Sequence, residues 1–277
     1  MLEHPSVILR RHGLRPKPSW GQNFLGDEEA LESIAAALRL KPDEPVVEIG
    51  AGLGHLTRYL LAFGAQVTAI ERDRDMARVL RKELSDERLT VVEANAVTED
   101  LAEAAHAPQV AVAGNIPYHL TSPILFKILE ERARISRAVL TIQKEVAARI
   151  TAEPGGREYG LLTPILDNYF EVRRMFELPA KLFHPPPKVD SAVVRLWKRD
   201  APLAEVTSDA RFIRVVKAAF AQRRKTIANS VKSDRTLASP EAWARAFEQA
   251  QIDPTRRAET LSTKEFAALE RALPPNE

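Results

Sequence analysis

The sequence predicts an α/β protein: a mainly parallel sheet with helices on both faces, followed by a small all-helical domain. Three observations carry this reading. Short apolar runs alternate with amphipathic stretches from about residue 27 to 200, and such alternation builds parallel strands joined by crossover helices. A glycine cluster, Gly50, Gly52 and Gly54, stands where one strand hands over to a helix. Beyond about residue 200 strand patterns stop and only helical periodicity continues. The chain therefore divides into a basic N-terminal segment (1–26), an α/β region (27–200) and a helical region (201–277).

The elements follow in order. Asp27 is placed to cap a helix with Ala30, Leu31, Ile34, Ala35 and Leu38 on one face. Residues 45–49 read as a strand ending at Gly50, 53–63 as a helix stopped by Gly64, and 66–70 as a second strand. A helix over 73–84, a strand over 89–93 and a strand over 109–113 come next. A helix from about 123 to 132 leads to a fifth strand, 137–143, and a helix over 144–150. Pro154, Gly155 and Gly156 mark a surface loop over 151–160. Residues 172–176 and 191–196 read as a late antiparallel pair. In the helical region Phe212, Val215, Val216, Ala219 and Phe220 form one stripe, with Arg214, Lys217, Arg224 and Lys225 opposite. Further helices are expected over 240–250 and 263–272.

Composition narrows the function. The chain has 277 residues and no cysteine, which excludes disulfides, thiolate metal sites and thiol catalysis. His55, His119 and His184 lack ligand spacing, so no metal is expected. The formal charge is only +2, yet residues 1–20 and 201–277 each carry +3 over a body of −4. Basic ends suggest a polyanionic partner. Arg10, Arg11, Arg15 and Lys17 at one end, and Arg223, Arg224 and Lys225 with Arg214 and Lys217 at the other, are the candidate phosphate contacts. No apolar run approaches the ~18 residues of a membrane span, and Val7–Leu9 is too short for a secretory signal. A cytoplasmic protein is the expectation.

The glycine loop, Glu48-Ile49-Gly50-Ala51-Gly52-Leu53-Gly54, lets a ligand approach the backbone at the positive end of a helix. Twenty-one residues after Gly50, Glu71 ends the next strand. An acidic group there can accept from both hydroxyls of a ribose, which points to an adenosine-containing cofactor. A nicotinamide dinucleotide and S-adenosylmethionine both qualify. The glycine spacing i, i+2, i+4 departs from the dinucleotide fingerprint and favours the second.

Asn115-Ile116-Pro117-Tyr118 closes the strand that contains Val110–Gly114. Read alone it could be a turn, but a turn does not call for the tyrosine. With Gly21–Leu25, the glycine loop, Gln143–Arg149, Phe183–Ser191 and Phe220 with Gln222–Thr226, it makes six motifs in order over residues 19 to 230. This set resembles the bacterial-type ribosomal RNA adenine N6,N6-dimethyltransferases that act on small-subunit (16S) RNA.

That resemblance implies a Rossmann-like class I S-adenosylmethionine-dependent methyltransferase fold, with small-subunit RNA within a pre-ribosomal particle as partner. The substrate implied is two adjacent adenosines in a 3′-terminal hairpin loop. By position, Asn23 and Leu25 are expected at the methionine end of S-adenosylmethionine, Gly50 and Gly52 along its backbone side, and Glu71 at its ribose. Where the family usually has an aspartate at the adenine amine, this chain has Asn95, whose amide oxygen can accept the same bond. The chain is expected to act as a monomer.

The chemistry asked of residues 115–118 follows from the substrate. An adenine N6 amine is a poor nucleophile because its lone pair is delocalised into the ring. The Asn115 side-chain oxygen and the Ile116 carbonyl can each accept one N–H and favour a tetrahedral nitrogen. Pro117 fixes the backbone, and Tyr118 offers a face on which a flipped base can stack. Phe183 is the candidate for the other face, with plain core packing as the competing reading. Two rivals stand beside this: a large-subunit RNA adenine N6-methyltransferase of the macrolide-resistance type, and a non-catalytic ribosome-assembly factor on the same fold.

Overall fold

The structure is a computed structural model that describes residues 2–234 and 236–274. It forms two compact units, Met1–Ala147 with Arg173–Lys198, and Ala148–Val172 with Arg199–Glu277. Residues 148–172, which the sequence division keeps with 27–200, thus cluster with the helical unit.

In chain order the strands are β1 (Phe24–Leu25), β2 (Pro45–Ile49), β3 (Gln66–Ile70), β4 (Leu89–Val92), β5 (Val110–Asn115), β6 (Ile135–Gln143), β7 (Phe170–Leu178), β8 (Phe183–His184) and β9 (Ser191–Lys198). The helices are α1 (Pro5–Arg11), α2 (Glu28–Ala37), α3 (His55–Ala62), α4 (Arg74–Glu83), α5 (Leu101–Ala104), α6 (Thr121–Glu130), α7 (Lys144–Ile150), α8 (Leu162–Asp167), α9 (Asp209–Phe220), α10 (Ile227–Ser230), α11 (Pro240–Gln249) and α12 (Thr263–Ala272).

Seven strands make one sheet in the order β4-β3-β2-β5-β6-β9-β7. β4 through β6 run parallel, with Val46 opposite both Val67 and Ala111. β9 runs antiparallel to β6, with Leu140 opposite Val194. The order reverses direction at β2 and β5, so the crevice beyond their carboxyl ends is the ligand position of an open α/β sheet. Gly50, Glu71, Asn95 and Asn115 all lie at such ends.

Parallel strands covered on both faces need continuous apolar runs. Val46, Val47, Val67, Ala111 and Val139 are accordingly almost inaccessible, and all of these but Val47 join α2 and α3 to the sheet with Ile34, Leu38 and Leu60. Full burial of one such leucine contributes about 2 kcal/mol. Asp27 caps α2 by accepting from the Ala30 N–H at 2.9 Å. Gly114 is required by close approach: a Cβ there would stand 2.7 Å from the Ile49 carbonyl oxygen.

The other unit packs α8 to α12 around Phe212, Val215, Val216 and Phe266. Ser262 and Glu265 cap α12 reciprocally. No helix among the described residues is long and apolar enough to cross a membrane.

Candidate active site

A cleft of about 260 Å³ opens at the carboxyl ends of β2 to β5. Its walls include Gly50, Gly52, Glu71, Asn95, Asn115, Tyr118 and Phe183, with Asn23 on a segment that crosses above them. Sequence positions up to 160 residues apart therefore converge on one site.

The glycine loop forms one wall. Gly50 adopts φ +72°, and an added Cβ would find only the Asn115 carbonyl, at 3.9 Å. The space in front of its backbone is open to a ligand. Glu71 stands beside it, buried, accepting from the Gly52 N–H at 2.9 Å and the Asp73 N–H at 2.8 Å. Burial raises its pKa, and those two N–H groups oppose the rise by favouring the charged form. Each oxygen keeps a further lone pair, so the carboxylate can still take ribose hydroxyls. Asn95 lines the same wall; its Oδ1 accepts from the Val97 N–H at 3.2 Å, and its second lone pair is open to an adenine amine.

Asn115 faces this wall from β5. Its Nδ2 donates to the Asn23 carbonyl at 2.8 Å. A carbonyl can only accept, so this contact decides which end of the amide is nitrogen. The Oδ1 is then the end left to accept from a substrate. The Ile116 N–H donates to the Thr141 carbonyl at 3.0 Å, and Pro117 has φ −53°. The backbone that carries the second acceptor is therefore held on β6 and by the proline ring.

A strap over residues 17–23 spans the cleft. On the Glu71 side Asp73 anchors it, accepting from Lys17 Nζ at 2.8 Å and Gln22 Nε2 at 2.7 Å. On the other side it is tied by the bond between Asn23 and Asn115. Sequence reasoning took Asp73 only as a helix start and did not single out Gln22. The signal available was Gln22 within the quoted Gly21–Leu25 motif.

A family model described as ribosomal RNA adenine dimethylase matches residues 13–273. A Myxococcus xanthus protein named ribosomal RNA small subunit methyltransferase A is 62% identical over 99% of this chain and 96% of its own length.

The chain belongs to the ribosomal RNA adenine dimethylase family.

Two solved structures share the architecture. The 23S rRNA methyltransferase ErmE matches with TM-score 0.70 and 32% identity over 91% of this chain and 99% of its own. A dimethyladenosine transferase from Plasmodium falciparum matches with TM-score 0.75 and 26% identity over 89% and 95%. The methyltransferase fold expected from the sequence is thus the one found.

Within this dimethylase two of the expected residues pack differently from expectation. The Leu25 side chain does not line the cleft: it is 3% exposed and packs in the core with Leu31 and Ile34. Successive residues of a strand point to opposite faces, so Phe24 takes the cleft wall instead. Phe183 reaches the cleft but is 5% exposed and belongs to the same core, with β1 paired to β8 beside it. Its ring therefore serves packing first.

The cation candidates also separate. Lys17 is bound by Asp73 and Asp75, and Arg11 by Glu3 and Glu83, so these two are occupied internally. Arg214 is held by Asp234 at 2.9 Å. Arg10, Arg15, Lys217, Arg223, Arg224 and Lys225 are exposed, with Arg223 Nη2 donating to the Arg157 carbonyl at 2.8 Å.

Proposed function

We propose that this dimethylase transfers methyl groups from S-adenosylmethionine to N6 of two adjacent adenosines in the 3′-terminal hairpin loop of small-subunit ribosomal RNA. The product is N6,N6-dimethyladenosine, made within a pre-ribosomal particle in the cytoplasm by a monomeric enzyme. The observation that carries the reading is the Asn115 amide, oriented by Asn23 so that an acceptor faces the cleft that Glu71 shares. The relative named for the small subunit, at 62% identity, supports this substrate over the large-subunit one.

S-adenosylmethionine supplies an electrophilic methyl group. Glu71 accepts from the ribose hydroxyls, Asn95 from the adenine amine, and Gly50 leaves its backbone open beside them, with Asn23 and Gly52 completing the pocket. The target base leaves its stack and lies on Tyr118. In the first transfer Asn115 Oδ1 and the Ile116 carbonyl accept its two N6 hydrogens, and in the second the one hydrogen of the monomethylated amine; each draws the lone pair out of the ring plane as the nitrogen attacks. No strong base is required, because the proton can depart after transfer. Arg223, Arg224 and Lys225, with Lys217, hold phosphates and position the RNA. In domain terms, the 1–26 segment closes the cofactor site, the α/β region does the chemistry and the helical region binds RNA.

The test is methylation of purified small subunits that lack these modifications, read by mass spectrometry of the 3′ hairpin. Two dimethylated adenosines are expected, and Asn115→Ala should bind subunits without turnover. Methyl groups found only on large-subunit RNA would overturn the assignment.

A further inference from the structure

Tyr118 sits on a short turn, 118–120, just beyond β5. Its ring has two free torsions, and the backbone there does not fix them. What holds its far end is a residue that the reading above leaves without a role. Ser191 opens β9, is 0% exposed, and places its Oγ 2.9 Å from the Tyr118 phenol oxygen. The same phenol donates to the Val189 carbonyl at 3.5 Å. In the 2.9 Å pair either oxygen can donate, and at 3.5 Å the Val189 carbonyl is at most a marginal acceptor, so the Ser191 hydroxyl is the phenol's main partner.

Ser191 is itself built into the sheet. It lies opposite Gln143 in the β6–β9 ladder. The preceding Asp190 accepts from the Lys144 N–H at 3.0 Å through its carbonyl, and from the Ala180 N–H at 2.9 Å through its carboxylate. A buried serine hydroxyl usually satisfies backbone. Here it is spent on an aromatic ring at the mouth of the cleft.

We propose that Ser191 is a positioning residue for methyl transfer: its hydroxyl sets the plane in which the Tyr118 ring meets the target base. This rests on the stacking role proposed for Tyr118. Stacking needs the ring and base parallel at van der Waals separation, and a gap of even 0.5–1 Å forfeits about a quarter to a half of each contact. The same tilt moves the amine away from Asn115 Oδ1.

The experiment uses the full-length chain with small subunits lacking the modification. Ser191→Ala, Tyr118→Phe and the double variant are compared by steady-state kinetics in both substrates. Each single change should lower kcat/KM for subunits by about five- to tenfold, the scale of one hydrogen bond. KM for S-adenosylmethionine should not move. The double variant should be no worse than Tyr118→Phe alone, because that change already removes the bond to Ser191. Tyr118→Phe attacks the bond from the half-exposed side, so the test stands even if Ser191→Ala folds poorly. Losses that multiply in the double variant, or full activity of Tyr118→Phe, overturn the proposal. A wild-type chain inactive on small subunits sinks the assigned function and this inference with it; an active one with multiplying losses sinks this inference alone.

Discussion

Asn115→Asp is the substitution that most directly tests the site. It changes one NH2 group to oxygen and leaves the shape intact. In the folded chain that NH2 donates to the Asn23 carbonyl at 2.8 Å. An ionised carboxylate would set two acceptors against each other at that distance, so the side chain must rotate away or take up a proton. Either way Oδ1 loses its fixed place facing the cleft. Removing one preorganised partner of a transition state costs about 2.7–4 kcal/mol, or about 10²–10³ in kcat. The sign of the pH dependence follows. The facing carbonyl disfavours the charged form and raises the pKa of the new carboxyl. Below that pKa the protonated acid can donate to Asn23 and present its C=O to the cleft, as the amide does. Activity of the variant should therefore rise relative to wild type as pH falls from 8 towards 6. Methylation rates at fixed saturating subunits, measured across that range, check it. A variant as fast as wild type at pH 8, or a loss that does not change with pH, refutes the orientation argument.

Two further outcomes follow, one from the cleft wall and one from the buried layer behind it. Asn95→Asp replaces a neutral acceptor by a charged one, and the difference between such bonds, about 1 kcal/mol, should tighten S-adenosylmethionine binding roughly fivefold in a calorimetric titration; weaker binding would show that position 95 does not meet the adenine amine. Glu48, 2% exposed beneath the glycine loop, is pushed by burial from 4.5 up to about 7, with the Thr57 hydroxyl bond opposing and the Glu71 charge adding to the rise. The folded state then holds a proton that the unfolded state has released, so stability falls as pH rises from about 4.5 to 7 and is level above. Glu48→Gln keeps an acceptor for Thr57 and should gain up to about 3 kcal/mol over wild type at pH 8, shrinking towards pH 5, in urea unfolding. Equal curves at both pH values would contradict this.

Much of the architecture was legible because it rests on local rules. The strands 45–49 and 66–70 have the bounds that their apolar runs and flanking glycines predict. The helices 144–150 and 263–272 likewise begin and end as their patterns indicate. The cleft residues Gly50, Glu71, Asn95 and Asn115 were legible for a related reason: each follows a strand, and a parallel sheet brings all such ends to one edge. What escaped notice had no periodicity to show. β1 and β8 are two residues each and exist only because they pair with one another. α8 spans six residues, and α1 is seven residues within a segment read for its basic charge, with no helix assigned to it.

Charge shows the same divide more sharply. Sequence composition places cations at the chain's two ends but is silent on their partners. Arg11, Lys17 and Arg214 are neutralised by Glu83, Asp73 and Asp234, residues 72, 56 and 20 positions away. Only the folded chain makes those distances short.

The fold class, the family and the set of side chains that could meet a methyl donor and an adenine were readable from the chain alone. Those follow from residue type and spacing, which are properties of the chain. The tertiary structure decided which atoms of that set face the cleft: the Asn115 oxygen rather than its nitrogen, Phe24 rather than Leu25, and a Tyr118 ring held by Ser191. Orientation depends on hydrogen bonds between residues far apart in the chain, 73 positions for Tyr118 with Ser191 and 92 for Asn23 with Asn115. No local pattern encodes such a bond; it exists only where the sheet brings its partners together.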